Sequence, residues 1–137
     1  MMVDAEQERV LSQFFYPRSL AIIGVSADEN AFGTRYLSAL LRFGFKGKLY
    51  PINPRGGELL GIKVYPRLGD VPDAIDLAVV CVPGRAVPGV LEECLARGIQ
   101  AAIVVSAGFS ETGEEGKKLE LELAKVRAKG IRVMGPN

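Results

Sequence analysis

Five short apolar runs, most of them rich in β-branched residues, constrain this chain more than any other feature of its sequence. They lie at Leu20–Val25, Lys48–Ile52, Leu77–Val82, Ala101–Val105 and Ile131–Met134, and each closes on glycine, proline or a small polar residue. Helical patterns separate most of them. Tyr36, Leu37, Leu40 and Leu41 share one face of a helix expected over Thr34–Phe43, with Gly44 as its stop. Val87, Val90, Leu91, Cys94 and Leu95 do the same for a helix that begins near Pro88 and is capped by Gly98. Thr112 and Glu115 have the spacing of a capping box, which opens a helix running to Lys129 with Leu119, Leu123 and Val126 as its buried stripe.

A strand that is apolar at nearly every position must be covered on both faces, and such strands alternating with helices make a parallel sheet between two helical layers. The fold expected is therefore α/β: a Rossmann-like, doubly wound parallel sheet of about five strands, in three α/β/α layers. Right-handed crossovers suggest the strand order 3-2-1-4-5. Pro51 interrupts the second strand, so its pairing should weaken there. The segment from Asn53 to Pro72 reads as a loop, with a short extended piece near Lys63–Tyr65 and a turn of helix around Arg67–Gly69. Asp4–Phe15 predicts an additional N-terminal helix, within residues 1–16, that docks Val10, Leu11, Phe14 and Phe15 on the rest of a single domain spanning residues 1–137.

Composition removes several classes of function. The formal net charge is +1, so no broad basic field attracts nucleic acid, and any anion must be recognised locally. The absence of histidine removes His-based triads, His metal sites and phosphohistidine chemistry from this chain. Cys81 and Cys94 both sit inside apolar patterns and read as reduced core thiols. No apolar run approaches the roughly 20 residues of a membrane-spanning helix, and the acidic N-terminal stretch is unlike a secretory signal. A cytoplasmic location is expected.

In a doubly wound sheet the ligand lies outside the carboxyl ends of the strands. Four loops rich in glycine, proline and small polar residues converge there: Gly24–Gly33, Asn53–Gly57, Pro83–Pro88 and Ser106–Gly113. In the first, Gly24 and Gly33 let a diphosphate approach the backbone and the helix start behind it, although the loop is longer than G-x-G-x-x-G and lacks the middle glycine. The second strand ends in Asn53-Pro54-Arg55 where an NAD-binding domain carries an acid for the ribose hydroxyl. Arg55 offers a forked donor for a phosphate on the ribose, as in CoA or NADP; as a solvated loop arginine it would have no such role. Val82-Pro83 and Ser106-Ala107-Gly108-Phe109 read equally as ligand walls or as plain turns.

Taken in order, these stretches resemble the CoA-binding domain of NDP-forming acyl-CoA synthetases (acetate–CoA ligase, ADP-forming) and of the succinyl-CoA synthetase alpha subunit. The resemblance rests on Phe15-Tyr16-Pro17-Arg18-Ser19-Leu20-Ala21-Ile22-Ile23-Gly24-Val25-Ser26, Gly47-Lys48-Leu49-Tyr50-Pro51-Ile52-Asn53-Pro54 and Asp76–Pro83. Ser106–Gly113 and Met134-Gly135-Pro136-Asn137 continue it. It implies coenzyme A as the ligand: Gly24, Val25 and Ser26 along the diphosphate, Asn53, Pro54 and Arg55 at the adenosine 3′-phosphate, Val82 and Pro83 beside the adenine, Ser106 and Gly108 along the pantetheine path. This stretch departs from the succinyl-CoA synthetase alpha subunit, which has a lysine just beyond its second-strand proline, where here Arg55 precedes Gly56 and Gly57. In the family an acyl phosphate forms and a histidine on a neighbouring domain relays phosphate. Without histidine, and ending where the family chain continues, this sequence reads as the N-terminal portion of a larger acid–thiol ligase, with no catalytic residue or metal site of its own. A free-standing CoA-binding regulatory protein, the CoA-binding part of a protein acetyltransferase and an NADP-dependent dehydrogenase fragment are the alternatives. Homo-oligomerisation is compatible with the exposed crevice loops.

Overall fold

β1 (Ser19–Ile23) is buried at all five positions, as is β5 (Leu77–Val80) at all four, which explains why both read as continuous apolar runs rather than alternating ones. The structure, a computed structural model, describes residues 4–106 and 113–135. Together with β2 (Lys48–Ile52), β6 (Ala101–Val104) and β7 (Arg132–Met134), these strands form one sheet in the order β2-β1-β5-β6-β7, parallel throughout. Helices α1 (Ala5–Phe15), α2 (Phe32–Arg42), α3 (Val87–Ala96) and α4 (Glu114–Arg127) cover it. Side chains alternate between the two faces. Ala21, Ile23, Ala78, Val80 and Val104 pack with Leu91, Cys94 and Leu123 of α3 and α4, whereas Leu20, Leu77 and Val79 meet α1 and α2.

Numbered along the chain, the five sheet strands run 2-1-3-4-5, not 3-2-1-4-5 as the sequence suggested. The third strand sits inside the sheet, between the first and the fourth. Pro51 supplies the reason. Its carbonyl accepts a hydrogen bond from the Tyr65 amide on the outer side of β2, 2.9 Å away, so its missing N–H faces that same side. A strand with this gap in its ladder, and with Lys48 exposed at its start, suits an edge. The completely buried β5 requires a neighbour on each side, and β1 and β6 provide them.

The outer edge of β2 is partly covered by a hairpin that the sequence presented as loop. β3 (Gly57–Leu59) pairs antiparallel with β4 (Ile62–Val64), and the extended piece and helical turn expected nearby are β4 itself and a 3₁₀ turn at Leu68–Asp70. Leu60 and Gly61 both take positive φ, 53° and 80°, the primed turn that matches strand twist. The chain then rejoins β2 through an Ile52–Tyr65 bridge.

α1 is capped by Asp4, whose carboxylate accepts from the Gln7 amide. It docks through Val10 and Phe14; Leu11 and Phe15, expected to dock too, are exposed because a helix lying flat on a sheet buries only one narrow stripe. α4 starts at Glu114 with Gly113 as N-cap, one residue later than the expected capping box; Thr112 lies outside the described residues. Among the described residues no helix is long and apolar enough to cross a membrane.

Candidate functional site

With this strand order the winding direction reverses between β1 and β5, so the crevice opens where their carboxyl ends meet. Two glycines let main chain stack on main chain there. Gly24 turns the chain out of β1 with φ +109°, and a Cβ on it would lie 2.6 Å from the Cys81 carbonyl oxygen after β5. A Cβ on Gly33, in the first turn of α2, would lie 2.7 Å from the Gly24 carbonyl oxygen. The loop thus keeps the outer pair of Rossmann glycine functions, a tight turn and close helix–strand packing, without the middle glycine.

The rest of the loop is tied down by Thr34, a residue that sequence reasoning used only as a helix start. Its buried hydroxyl accepts from the Ser26 amide at 2.9 Å and donates to the Ser26 carbonyl at 2.7 Å. A threonine directly after the glycine that opens the helix is the signal that could have revealed it. Val25 points into the core, leaving only its main chain toward the crevice, and its carbonyl accepts from the Asn53 side-chain amide at 2.5 Å.

α2 begins without a cap. Its N-cap is Ala31, no side chain bonds to its first amides, and its first turn holds no acid. By contrast, α1 has the Asp4 cap with Glu6 and Glu8 beside it. The uncapped amides and the helix dipole therefore present partial positive charge at the carboxyl end of β1.

Beyond β2, the Asn53 carboxamide oxygen accepts from the Arg55 amide at 2.8 Å. Pro54 and Arg55 are exposed, and among the described residues the Arg55 guanidinium pairs with no carboxylate. A recess of about 180 Å³ lies between Ser26, Asn53, Arg55 and Gly56 on one side and Glu58 and Leu59 of the hairpin on the other. Glu58 brings a negative charge to its rim, which sequence reasoning did not anticipate because the hairpin was unread. A larger groove, about 680 Å³, runs along the outer side of α2 past Arg35 and Arg42. Its lining includes neither the strand ends nor the glycine stack, so size alone does not locate the site.

On the other side of the reversal, Val82 is half-buried and the exposed Pro83 caps a 3₁₀ turn, Gly84–Ala86, that leads into α3. Ser106 is buried and its hydroxyl donates to the Val82 carbonyl, joining the loops after β5 and β6. Gly108 lies outside the described residues. The structure therefore brings Gly24, Val25, Ser26, Gly33, Asn53 and Arg55 together around β1 and β2, and links Val82 and Ser106 beside β5. Burial pushes the Cys81 and Cys94 thiols up to about 12, so neither is a thiolate at neutral pH. Among the described residues no three His, Cys, Asp or Glu side chains group to hold a metal.

The parallel five-stranded sheet between helices, with its glycine-stacked turn after β1, defines a Rossmann-type domain. Residues 18–137 match the family described as CoA binding domain, and the chain belongs to that family. It is 43% identical over 128 residues to acetate–CoA ligase (ADP-forming) II of Archaeoglobus fulgidus, covering 93% of this chain and 19% of that one. It is 42% identical over 132 residues to the alpha subunit of acetate–CoA ligase (ADP-forming) I of Pyrococcus furiosus, covering 93% and 29%. Among solved structures, the dinucleotide-forming acetyl-coenzyme A synthetase 1 of Ca. Korarchaeum cryptofilum, in complex with phosphate and ADP, superposes with a TM-score of 0.86 at 44% identity, covering 93% and 27%. The chain spans less than a third of the length of each of these relatives.

Proposed function

We propose that this chain, as one domain over residues 1–137, is the CoA-binding part of an ADP-forming acyl-CoA ligase. In this reading the diphosphate lies over the start of α2 between Gly24, Val25, Ser26 and Gly33, and the ribose 3′-phosphate meets Arg55 beside Asn53 and Pro54. The adenine borders Val82 and Pro83, and the pantetheine arm runs past Ser106 and Gly108. The acyl phosphate and phosphohistidine steps, with the nucleotide-grasping function, belong to other domains or a second subunit, since this chain has no histidine. The observation that carries the reading is the start of α2, uncapped and with no acid in its first turn, packed closely on the end of β1 through Gly33 and Gly24, with an Arg55 guanidinium that pairs with no carboxylate among the described residues.

Calorimetric titration of the chain with CoA, dephospho-CoA and NADPH tests it. CoA is expected to bind best, and dephospho-CoA about tenfold or more weaker, the worth of one charge-assisted contact of about 1.5–3 kcal/mol. Arg55→Ala should erase that difference. Equal affinity for CoA and dephospho-CoA removes Arg55 from the site, and a preference for NADPH overturns the ligand.

A further inference from the structure

We infer that Asn53 is a positioning residue, which sets the direction of Arg55 and the height of the Ser26 peptide without touching the coenzyme. The inference rests on the reading of the crevice given above. The Asn53 carboxamide is engaged at both ends. Its nitrogen donates to the Val25 carbonyl at 2.5 Å, and its oxygen accepts from the Arg55 amide at 2.8 Å. A third bond closes the same turn, from the Gly56 amide to the Asn53 carbonyl at 2.8 Å. The Asn53 amide itself donates to Tyr65 of the hairpin side at 3.0 Å.

One residue thus links three pieces of the crevice: the β1–α2 loop, the turn carrying Arg55, and the strand leading out of the hairpin. Arg55 needs such a guide. It is exposed on a two-glycine turn, Arg55-Gly56-Gly57, and both glycines take positive φ, 62° and 91°. A flexible turn would spread the guanidinium over many directions, and ordering it at the moment of binding costs affinity. Bonds made before the ligand arrives remove that cost. The Val25 carbonyl is the other beneficiary. Thr34 holds the Ser26 end of the same peptide from the opposite side, so the peptide is clamped between Asn53 and Thr34.

A ligand-contacting Asn53 and a positioning Asn53 leave different signatures. If Asn53 acts through Arg55, Asn53→Ala should weaken CoA more than dephospho-CoA, reducing the roughly tenfold preference toward unity. The effects of Asn53→Ala and Arg55→Ala on that preference should also fail to add, since the second change removes what the first already misaligned. The experiment is calorimetric titration of wild type, Asn53→Ala, Arg55→Ala and the double variant with both ligands, after a melting curve shows each variant folded. Asn53→Ser, which retains a short oxygen acceptor for the Arg55 amide, provides a second variant should Asn53→Ala fail to fold, and it should restore part of the preference. If Asn53→Ala leaves the preference for CoA over dephospho-CoA intact and adds fully to Arg55→Ala, Asn53 does not set the direction of Arg55 and the inference is overturned. A wild type without any preference for CoA fails at the earlier step, because Arg55 then has no phosphate to meet.

Discussion

Gly33→Ala is the sharpest perturbation the crevice allows, because the same chemical change at Gly89 should act in the opposite direction. Both glycines lie in the first turn of a helix, α2 and α3 respectively. In each, alanine gains up to about 1 kcal/mol from helix propensity and the less flexible unfolded chain. At Gly89 the new methyl group meets nothing within 4 Å, so that gain should appear nearly whole. At Gly33 the methyl carbon would stand 2.7 Å from the Gly24 carbonyl oxygen, with the Gly24 carbonyl carbon at 3.1 Å and the Val25 nitrogen at 3.2 Å. Reaching an ordinary contact of 3.4 Å requires 3.4 − 2.7 = 0.7 Å of movement between α2 and the loop. Gly24 cannot give way, since it already rests on the Cys81 carbonyl. Overpacking of this kind costs about 1–3 kcal/mol, and backbone on both sides places this case in the upper half. The balance is a loss of about 1–2 kcal/mol. For a chain of 137 residues, thermal unfolding should then shift down by roughly 3–10 °C in Gly33→Ala and up by roughly 2–4 °C in Gly89→Ala. CoA affinity should also fall in Gly33→Ala if the diphosphate lies over the start of α2 as proposed, because those amides move with the helix. Circular dichroism melts of the two variants and wild type decide the matter. A Gly33→Ala protein that melts at or above wild type refutes the backbone stack.

Two further outcomes follow from side chains outside the crevice. The Arg97 guanidinium donates to the carbonyls of Leu68, Gly69, Val71 and Asp73, at 3.2, 3.3, 2.7 and 2.9 Å, pinning that segment to the end of α3. Arg97→Ala should cost about 2–3 kcal/mol in urea unfolding, and Arg97→Lys should recover only a minor part, because a single ammonium cannot span four carbonyls. The buried Tyr50 hydroxyl donates to the Asp73 carboxylate at 2.5 Å. That bond, and then the Lys48 charge, hold the Asp73 carboxyl below its ordinary value, so its contribution to stability is present above about pH 4 and fades as pH falls through the depressed value. Burial, and then Asp73, push Tyr50 up to about 12, so its contribution is whole below pH 10 and fades as pH rises toward 12. The destabilisation by Tyr50→Phe should therefore be largest between about pH 5 and 9 and shrink at both extremes, and a pH-independent difference in urea unfolding would contradict it.

Features that depend on a residue and its near neighbours along the chain are legible from residue order alone. The unbroken apolar runs of β1 and β5 announce strands covered on both faces, and the α3 stripe of Val87, Leu91 and Cys94 is legible from its spacing. Gly24 marks a turn, and the second strand ends in Asn53-Pro54-Arg55 with no acid among them. Which edges meet is set by long-range packing. The place of the third strand inside the sheet depends on the side to which Pro51 turns its missing N–H, and local pattern carries no record of that side. The hairpin was hidden because its two strands have only three residues each and are stabilised by pairing with one another and with the edge of β2. Thr34 and Asn53 are ordinary polar residues until the fold sets them on opposite sides of one peptide. Hydrophobic periodicity is a property of a segment, whereas a hydrogen bond across the crevice belongs to two segments whose separation the sheet sets. That glycine-rich and small polar loops follow the strands was therefore readable in advance, and the bracing between them was not.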